Sequence, residues 1–451
     1  LMPEALESWA VDLFGKLLPR HLQIIYDINS RFLKEISKKY PGDSDRLARM
    51  SIIEEGYPKK IRMGNLCAAM SFSVNGVSAL HSKLITSSLF RDFYEHMPGK
   101  FNNKTNGITQ RAWLLKANPG LSRLITEHIG DRWITDLDRL KKLIPFKEKR
   151  DFRERWRAVK HDNKKRLAEY IQKTTALTVD PDSLFDAQIK RMHEYKRQIL
   201  FGFYIISQYI KIRNDPNAFL QPRTFIAAGK AAPGYFMAKL SIKFINSIAD
   251  VINNDKLVSD RIKVVFLENY SVSIAEMIIP ASELSEQIST AGTEASGTSN
   301  MKFMLNGALT MGTMDGATIE IAELVGSDNI FLFGLKADEI TRLRNEGYHP
   351  RDFIQRSPVL REVIKLIESN HFSRRSPGIF DPIIRSISDS DPFFLCADFD
   401  PYLQAQESAG KAYQDRERWT ERSIMNAANT GKFSSDRAIR EYAEDIWKIK
   451  L

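Results

Sequence analysis

From about residue 102 onward, short strand-like runs rich in apolar and β-branched residues alternate with longer runs that have helical spacing. Parallel strands need a crossover between them, usually a helix, so this alternation predicts a parallel, doubly wound α/β sheet. In such a sheet, ligands bind at the carboxyl ends of the strands. Six runs are predicted strands: 183–189, 223–228, 262–267, 309–312, 330–333 and 394–398.

The first hundred residues have a different pattern. Residues 1–98 are predicted to be helical almost throughout, and apolar residues recur at helical spacing from Leu22 to Lys38. The pair Asn75-Gly76 predicts a turn or a close backbone approach before another helix. Because no strand-rich core is visible here, we interpret this segment as the end of a larger domain.

The composition is that of an ordinary globular protein. The chain has 451 residues, of which 43% are hydrophobic and 27% charged, enough for more than one lobe. The net charge of +10 allows anionic partners, but the densest basic run, 147–166, contains interleaved acidic residues. That run predicts a mixed-charge, solvated helix with Trp156 and Val159 on one side, and no motif indicates nucleic-acid binding.

Cysteine usage and apolar runs indicate the cellular setting. The two cysteines, Cys67 and Cys396, lie far apart and form no zinc or disulfide pattern, which is typical of a reducing, cytoplasmic compartment. The longest apolar stretch, 199–206, is too short to cross a bilayer, and no secretion signal is visible. We therefore expect a cytoplasmic protein with no metal site and no nucleic-acid or membrane partner.

The segment from Glu294 to Met304 reads EASGTSNMKFM. Small residues around Gly297 leave backbone amides free where a helix would begin, and anions bind well at such a helix start. Lys302 falls in the first helical turn among apolar residues, where burial would lower its pKa and favour a neutral, nucleophilic amine. A phosphate site beside such a lysine matches what pyridoxal 5′-phosphate requires.

Two other interpretations compete for this segment. The first is a capped helix with one lysine that reaches solvent. The second is an acyl-enzyme site, because residues 299–302 read S-x-x-K and residues 327–329 read S-D-N. The third element, K-T-G, should then come last. Its nearest match, residues 104–107, comes far too early and contains an inserted Asn, so the order excludes this second interpretation.

A second cluster is basic. Lys190, Arg191, Lys196 and Arg197 follow the predicted strand 183–189, where a ligand crevice belongs. Arginine offers a planar fork to phosphate oxygens, and lysine offers a mobile point charge. The alternative interpretation is a solvated basic helix start.

Two loops are weaker candidates. The loop 228–235, at the end of a predicted strand, is weak evidence for a phosphate or nucleotide site, and a purely structural turn explains it at least as well. The loop 104–113 contains a predicted turn at Thr105-Asn106-Gly107, where the Asn106 amide could hydrogen-bond a sugar hydroxyl. Without further context, a bare turn is the better explanation of that loop.

These segments together resemble the glycogen, starch and maltodextrin phosphorylases. Residues 294–320, EASGTSNMKFMLNGALTMGTMDGATIE, are similar to the family's cofactor-lysine segment, and residues 190–197, KRMHEYKR, to its basic motif. The loop 228–235 resembles the family's GGKAAPGY, with Ala228 at the first glycine. The resemblance runs from about residue 1 to 449. It implies three segments: the helical end of the N-terminal lobe (1–101), a GT-B-like cofactor-binding α/β domain (102–430) and a C-terminal helix crossing back (431–451).

The resemblance also implies roles for individual residues. Lys302 would carry pyridoxal 5′-phosphate, and Lys190 would contact the cofactor phosphate. The implied cofactor-binding residues are Lys302, Gly297, Thr298, Ser299, Lys190, Tyr270 and Trp113. The implied substrate-binding residues are Asn106, Tyr195, Glu294, Ser296, Gly297, Arg191 and Lys196, and the implied catalytic residues are Lys190, Arg191 and Lys196.

The sequence departs from the family pattern at four positions. Gln110 replaces a common proline, Phe72 a frequent histidine and Ser299 a common glycine, while Ser271 stands where many relatives carry arginine. Ser299 keeps its backbone amide, so the phosphate site should survive. Ser271 puts an arginine contact to that phosphate in doubt.

The resemblance implies phosphorolysis of α-1,4-glucan with inorganic phosphate, which yields glucose 1-phosphate. The family's catalytic-site histidine would lie just upstream of Leu1, and most of the N-terminal lobe would precede the chain. Two alternatives are therefore a cofactor-binding fragment without turnover and a nucleotide-sugar glycosyltransferase. Lys302 in its segment argues against the latter. We expect a homodimer for the full-length enzyme.

Overall fold

Residues 6–218 and 220–450 are described by the computed structural model. They form two compact units: residues up to Thr105 together with those from Glu441 onward, and residues Asn106–Arg440. The three segments implied by the family resemblance remain a prediction. Among the described residues, no helix is both long enough and apolar enough to span a membrane.

The first unit combines helices with two small sheets. Strands β1, β2 and β3 form an antiparallel sheet in the order β1-β3-β2, and β4 pairs in parallel with β5. The strands are β1 Ser8–Ala10, β2 Ile53–Glu54, β3 Lys60–Arg62, β4 Val74–Gly76 and β5 Phe101–Asn103. The helices are α1 Val11–Leu17, α2 Pro19–Lys39, α3 Ser44–Met50, α4 Met63–Met70, α5 Ala79–Leu84 and α6 Arg91–His96, with π-helical turns at Ile85–Leu89 and Tyr442–Trp447 and a 3₁₀ turn at Pro98–Lys100.

The predicted helix over 22–38 is confirmed as part of α2, but the expectation of helix almost throughout missed the short strands. These strands have two or three residues each, too few to show an alternating pattern. The close approach expected at Asn75-Gly76 is present, because a Cβ at Gly76 would lie 2.5 Å from the backbone nitrogen of Ser82.

The second unit is organised around a six-stranded parallel sheet in the order β11-β10-β9-β6-β7-β8. The chain enters at β6, continues outward to β8, returns to β9 on the other side of β6 and continues to β11. This reversal confirms the predicted parallel sheet and places a crevice between β6 and β9. The strands are β6 Leu184–Ile189, β7 Arg223–Ala228, β8 Ile262–Leu267, β9 Leu284–Gln287, β10 Leu309–Gly312 and β11 Phe331–Leu332.

Fourteen α-helices lie between residues 119 and 441 of the described chain. Further 3₁₀ or π-helical segments occur at Arg111–Lys116, Arg132–Ile134, Leu137–Glu148, Glu194–Lys196, Ser327–Asn329 and Gly431–Phe433. The α-helices are α7 Pro119–Ile129, α8 Arg150–Thr175, α9 Gln198–Asn214, α10 Phe236–Asn254, α11 Val272–Ala281, α12 Ser299–Leu305, α13 Thr318–Val325, α14 Ala337–Glu346, α15 Pro350–Arg356, α16 Pro358–Glu368, α17 Asp381–Asp389, α18 Leu395–Gln414, α19 Arg416–Ala428 and α20 Ser435–Glu441.

One predicted strand is a helix, and one observed strand was not predicted. The run 394–398 opens α18, whose buried Leu395, Phe399 and Tyr402 continue the apolar pattern at helical spacing. Strand β9 was missed because its sequence, LSEQ, is mostly polar although all four residues are buried. Its neighbours along the sheet, rather than its own hydrophobicity, determine that it forms a strand.

Apolar side chains cover both faces of the sheet. Along β6, Leu184 belongs to one hydrophobic cluster and Phe185 to another, and along β8 the same alternation places Val264 and Val265 in different clusters. Successive strand residues point to opposite faces, so each strand contributes to two cores. The sheet is therefore buried on both sides, as expected for a doubly wound fold.

A buried polar network lies inside this sheet. The Asp186 carboxylate on β6 pairs with Arg223 at 3.1 Å, and Glu286 on β9 accepts hydrogen bonds from Tyr402 and Gln406. Burial, together with the neighbouring Asp186 carboxylate, raises the pKa of Glu286 well above its ordinary value. Glu286 is thus the carboxyl that keeps its proton, while Asp186 carries the charge that Arg223 needs.

Replacing Glu286 by glutamine tests this assignment. An unfolded glutamate ionises near pH 4.3, whereas the folded carboxyl stays protonated, so wild-type stability falls as pH rises above about 4.3 towards the folded-state pKa. Glutamine has no proton to lose, so over that range the free energy of unfolding of Glu286→Gln should rise relative to the wild type. We expect a rise of up to about 1.4 kcal/mol per pH unit, measured by urea unfolding. Asp186→Asn is the contrasting variant. It should lower the free energy of unfolding by about 3–5 kcal/mol, because it leaves the buried Arg223 without its charged partner. A constant difference between Glu286→Gln and the wild type from pH 4 to 8 would contradict the assignment.

Candidate functional site

The carboxyl ends of β6 and β7 are joined by a close backbone contact. Lys190 donates its amide to Ala228 at 3.0 Å, and Met192 donates to Lys230 at 3.0 Å. A Cβ on Gly229 would lie 2.0 Å from the Lys190 carbonyl oxygen. Only glycine leaves room for this approach, which fixes where the basic segment after β6 leaves the sheet.

Lys190 is directed toward the end of β9 and the start of α12. Its Nζ donates to Gln287 Oε1 at 2.5 Å and to Ser299 Oγ at 3.3 Å. Burial and the nearby Lys196 lower the pKa of Lys190 to about 8. The amine therefore has neutral partners but no carboxylate within ion-pair distance among residues 6–218 and 220–450. An anion placed beside it would be strongly favoured.

Lys196, Tyr195 and Glu294 form a second group at this edge. Lys196 forms an ion pair with Glu294 and lies 4.6 Å from the centroid of the Tyr195 ring. The Tyr195 hydroxyl donates to the Glu294 carboxylate at 3.4 Å. Burial opposes ionisation of Glu294, but Lys190 and Lys196 outweigh it and hold the pKa of that carboxyl below its ordinary value.

The loop that carries Glu294 is organised by a buried carboxylate, Asp315. It accepts hydrogen bonds from the amides of Gly292 and Glu294, each at 2.9 Å, and from the Ser289 hydroxyl at 2.7 Å. Burial raises the pKa of Asp315 to about 6 despite these donors. Ser296 joins the same region through its carbonyl, which accepts from the Ala317 amide at 2.8 Å.

Helix α12 places the predicted cofactor lysine. Gly297 precedes it with a left-handed φ of 76°, Thr298 is its N-cap, and Ser299 is its first residue. The Lys302 Nζ lies 3.9 Å from the centroid of the Trp113 ring, and burial lowers the pKa of Lys302. The expected lowering of this pKa is confirmed.

The aromatic side chains near this lysine share one hydrophobic cluster. Trp113 and Tyr270 both pack, partly buried, against the core that contains Phe303 of α12. Burial raises the pKa of Tyr270 to about 12, so its hydroxyl stays protonated at neutral pH. The following residue, Ser271, caps α11 by accepting from the Ile274 amide at 3.4 Å. Ser271, which stands where many relatives carry arginine, thus acts as the N-cap of α11.

The two arginines of the basic cluster differ. Arg191 is exposed, and its side chain has no ion pair within the described part of the chain. Arg197 is fully buried, pairs with Asp398 at 2.6 Å and donates to the carbonyls of Ile288 and Ser289. The interpretation of Arg197 as part of a ligand-facing cluster is wrong, because its guanidinium is fully used in the core.

Asn106 lies apart from these contacts. Its carbonyl accepts from Arg437 Nη2 at 3.3 Å, and no hydrogen bond between described residues joins it to Lys190, Lys196 or Glu294. The structure thus forms two hydrogen-bonded groups at this edge, Lys190 with Ser299 and Lys196 with Tyr195 and Glu294. The role of Asn106 stays a prediction.

Sequence reasoning missed two residues that build the site. Gln287 accepts from Lys190, and Asp315 orders the loop before α12. Gln287 ends the strand that had no apolar signal, and Asp315 follows β10 in the sequence TMDG. Position after a predicted strand was the available signal for Asp315, because polar residues there lie at the ligand edge.

Comparison with known proteins identifies the family of the chain. A family profile described as carbohydrate phosphorylase matches residues 1–449. The chain belongs to the carbohydrate phosphorylase family.

Curated carbohydrate phosphorylases resemble the chain along its whole length. It is 54% identical over 450 residues to the glycogen phosphorylase of Synechocystis sp., and 50% identical to the muscle glycogen phosphorylases of Oryctolagus cuniculus and Homo sapiens. Each alignment covers 100% of this chain but 53% of the relative. The chain spans about half the length of these relatives.

The close approach at Gly229 supplies a test of the site's architecture. Gly229→Ala should cost about 1–3 kcal/mol of stability, because the new methyl group would overlap the Lys190 carbonyl. Gly234→Ala, in the same loop, is the matched control, since nothing lies within 4 Å of its added Cβ. It should change stability by less than about 0.5 kcal/mol in urea unfolding. Equal losses in the two variants would show that the backbone contact is unimportant.

Proposed function

We propose that this chain supplies the phosphate- and cofactor-binding half of an α-1,4-glucan phosphorylase. The whole enzyme would transfer a terminal glucosyl unit to inorganic phosphate, releasing glucose 1-phosphate and a shortened glucan. The relatives are named glycogen phosphorylases. The observation that carries the proposal is the position of the Lys302 amine, which lies against the Trp113 ring. Lys302 is on α12, and the first residue of that helix, Ser299, contacts Lys190.

Pyridoxal 5′-phosphate fits the residues at this site. Burial lowers the pKa of Lys302, which favours the neutral amine that a covalent link to an aldehyde requires. Lys190, Thr298 and Ser299 would hold the phosphate end, and Trp113 and Tyr270 would cover the ring. When bound, the cofactor supplies a phosphate that exchanges a proton with the substrate phosphate.

The remaining polar residues suit the substrate. Arg191 is exposed and unpaired within the described residues, so its planar fork is available to inorganic phosphate. Lys196 would bind the same phosphate while it stays paired with Glu294. Tyr195, Glu294, Ser296, Gly297 and Asn106 would contact the sugar.

In this proposal the positive charges stabilise two neighbouring phosphates. Two phosphates that share a proton repel each other, and lysine and arginine beside them offset that repulsion. The substrate phosphate would give its proton to the glycosidic oxygen as the bond to C1 breaks, and a phosphate oxygen would then join C1. The positive charges of Lys190, Arg191 and Lys196 would keep the acceptor phosphate in place while the glucosyl unit is transferred to it.

A second function is favoured for this chain by itself. Because it spans 53% of the relatives' length, it would bind the cofactor without turning over glucan in the absence of the remaining half. For the complete protein, a two-lobed GT-B arrangement, a cytoplasmic location and a homodimer are parts of the proposal.

The proposal predicts where the cofactor attaches. After incubation with pyridoxal 5′-phosphate and borohydride reduction, peptide mass mapping should find the added mass on Lys302. Lys302→Arg should abolish the adduct, whereas Lys230→Arg, which replaces an exposed lysine near the site, should leave it unchanged.

An activity assay completes this test. Glucose 1-phosphate should appear with a whole-length protein that contains this chain and should be absent with the chain alone. An adduct on Lys190 or Lys230 would contradict the cofactor assignment, and equal activity of the two proteins would contradict the second function.

A further inference from the structure

One buried amide joins the cofactor-lysine helix to the aromatic residue beside it. Asn306 directly follows α12 and is completely buried. Its Nδ2 donates to the Trp113 carbonyl at 2.8 Å and to the Lys302 carbonyl at 3.0 Å. The backbones of Trp113 and Lys302, far apart in sequence, are therefore held by a single side chain.

The same two residues meet through their side chains. The Lys302 amine lies 3.9 Å from the centroid of the Trp113 ring. An aromatic face attracts an ammonium ion, but it offers none of the hydrogen bonds that water provides. Burial is the cause that lowers the pKa of Lys302, and no carboxylate lies within ion-pair distance of its amine in the described chain. Water access thus controls how readily this amine loses its proton.

We propose that Asn306 is a positioning residue that holds the Trp113 ring over the Lys302 amine and so sets how much water reaches that amine. Its effect on cofactor attachment rests on the proposed function. Its effect on the amine itself does not, because that follows from the contacts within this chain.

The orientation of the Asn306 amide is fixed from its other side. Its Oδ1 accepts from Asn118 Nδ2 at 3.0 Å, and Asn118 in turn accepts from Asn163 at 3.0 Å. The Asn306 backbone carbonyl accepts from Lys160 Nζ at 3.0 Å, and Lys160 also donates to Pro280 and Ser282. Each polar group of Asn306 therefore has a partner, and a fully satisfied buried network is rigid.

Asparagine is well suited to this position. Two carbonyls face its Nδ2 and one donor faces its Oδ1, so both halves of the amide are used. Aspartate has no donor for the carbonyls, and alanine has neither group. Serine has one hydroxyl proton and commonly bonds the carbonyl four residues earlier, here that of Lys302. A serine would therefore keep the helix contact and lose the Trp113 contact.

The chain offers a matched control. Asn426 is also completely buried, and its Nδ2 also donates to two carbonyls, Arg422 four residues earlier at 3.0 Å and Asn329 at 2.9 Å. Asn426→Ala removes the same kind of hydrogen bonds without touching Trp113 or Lys302. It separates a general loss of stability from a specific effect at the lysine.

The test measures the Lys302 amine directly. The full chain is treated with hydroxylamine to remove bound cofactor and then acetylated at a series of pH values, with Lys302 modification followed by peptide mass spectrometry. In Asn306→Ala the midpoint of the acetylation profile should rise by about one pH unit, which lowers the neutral fraction about tenfold near pH 8. Asn306→Ser should show the same shift with a smaller loss of melting temperature, and Asn426→Ala should show no shift.

Two results would overturn the proposal. One is an unchanged Lys302 midpoint in both folded Asn306 variants. The other is an equal shift in Asn306→Ala and Asn426→Ala, which would show a general loosening. If Asn306→Ala fails to fold, Asn306→Ser decides the matter alone. The acetylation readout needs neither cofactor nor glucan. A wrong cofactor assignment would therefore appear only in the borohydride mapping and would leave the acetylation result for Asn306 valid.

Discussion

In the described part of the chain, a desolvated amine without a carboxylate in contact lies at the carboxyl edge of the parallel sheet, and the candidate site depends on this amine. Lys196 has Glu294 as a partner, but Lys190 donates only to the neutral Gln287 and Ser299. Desolvation of the Lys190 amine and the nearby Lys196 outweigh the attraction of Glu294 and Asp315, and the pKa of Lys190 falls to about 8 as a result. An anion at this edge would offset that desolvation. The fold thus keeps the Lys190 amine desolvated and, among the described residues, in contact with neutral groups only.

The sheet order explains how these groups meet. Strand β6 lies beside both β7 and β9, so residues after three strands reach one edge although they are about a hundred positions apart in sequence. The Gly229 contact fixes the exit from β6, and Asp315 fixes the loop before α12. The Lys302 amine is then positioned by α12 and covered by Trp113. The Gly229 backbone contact and the hydrogen bonds of the Asp315 carboxylate therefore support this arrangement.

Much of this could be predicted from sequence, and the failures have physical reasons. Apolar strands such as β7 and β8 were predicted with their observed bounds, because parallel strands buried on both faces are apolar along their length. Strand β9 was missed because buried polar residues form it. Arg197 was misinterpreted because some side chains of the basic run point to the sheet edge, whereas that of Arg197 points into the core. The roles of Gln287 and Asn306 depend on partners distant in sequence, which no local pattern reveals.

The pKa of Lys190 tests the central claim most directly. It can be followed by carbon-13 NMR of the chain labelled at lysine Cε, with the resonance assigned by its loss in Lys190→Arg. We expect a Lys190 pKa near 8 without added anion. Inorganic phosphate should raise that pKa by one unit or more, because an adjacent anion favours the ammonium form. A Lys190 that titrates near its ordinary value of about 10.4 and does not respond to phosphate would show that this amine is neither desolvated nor close to a bound anion.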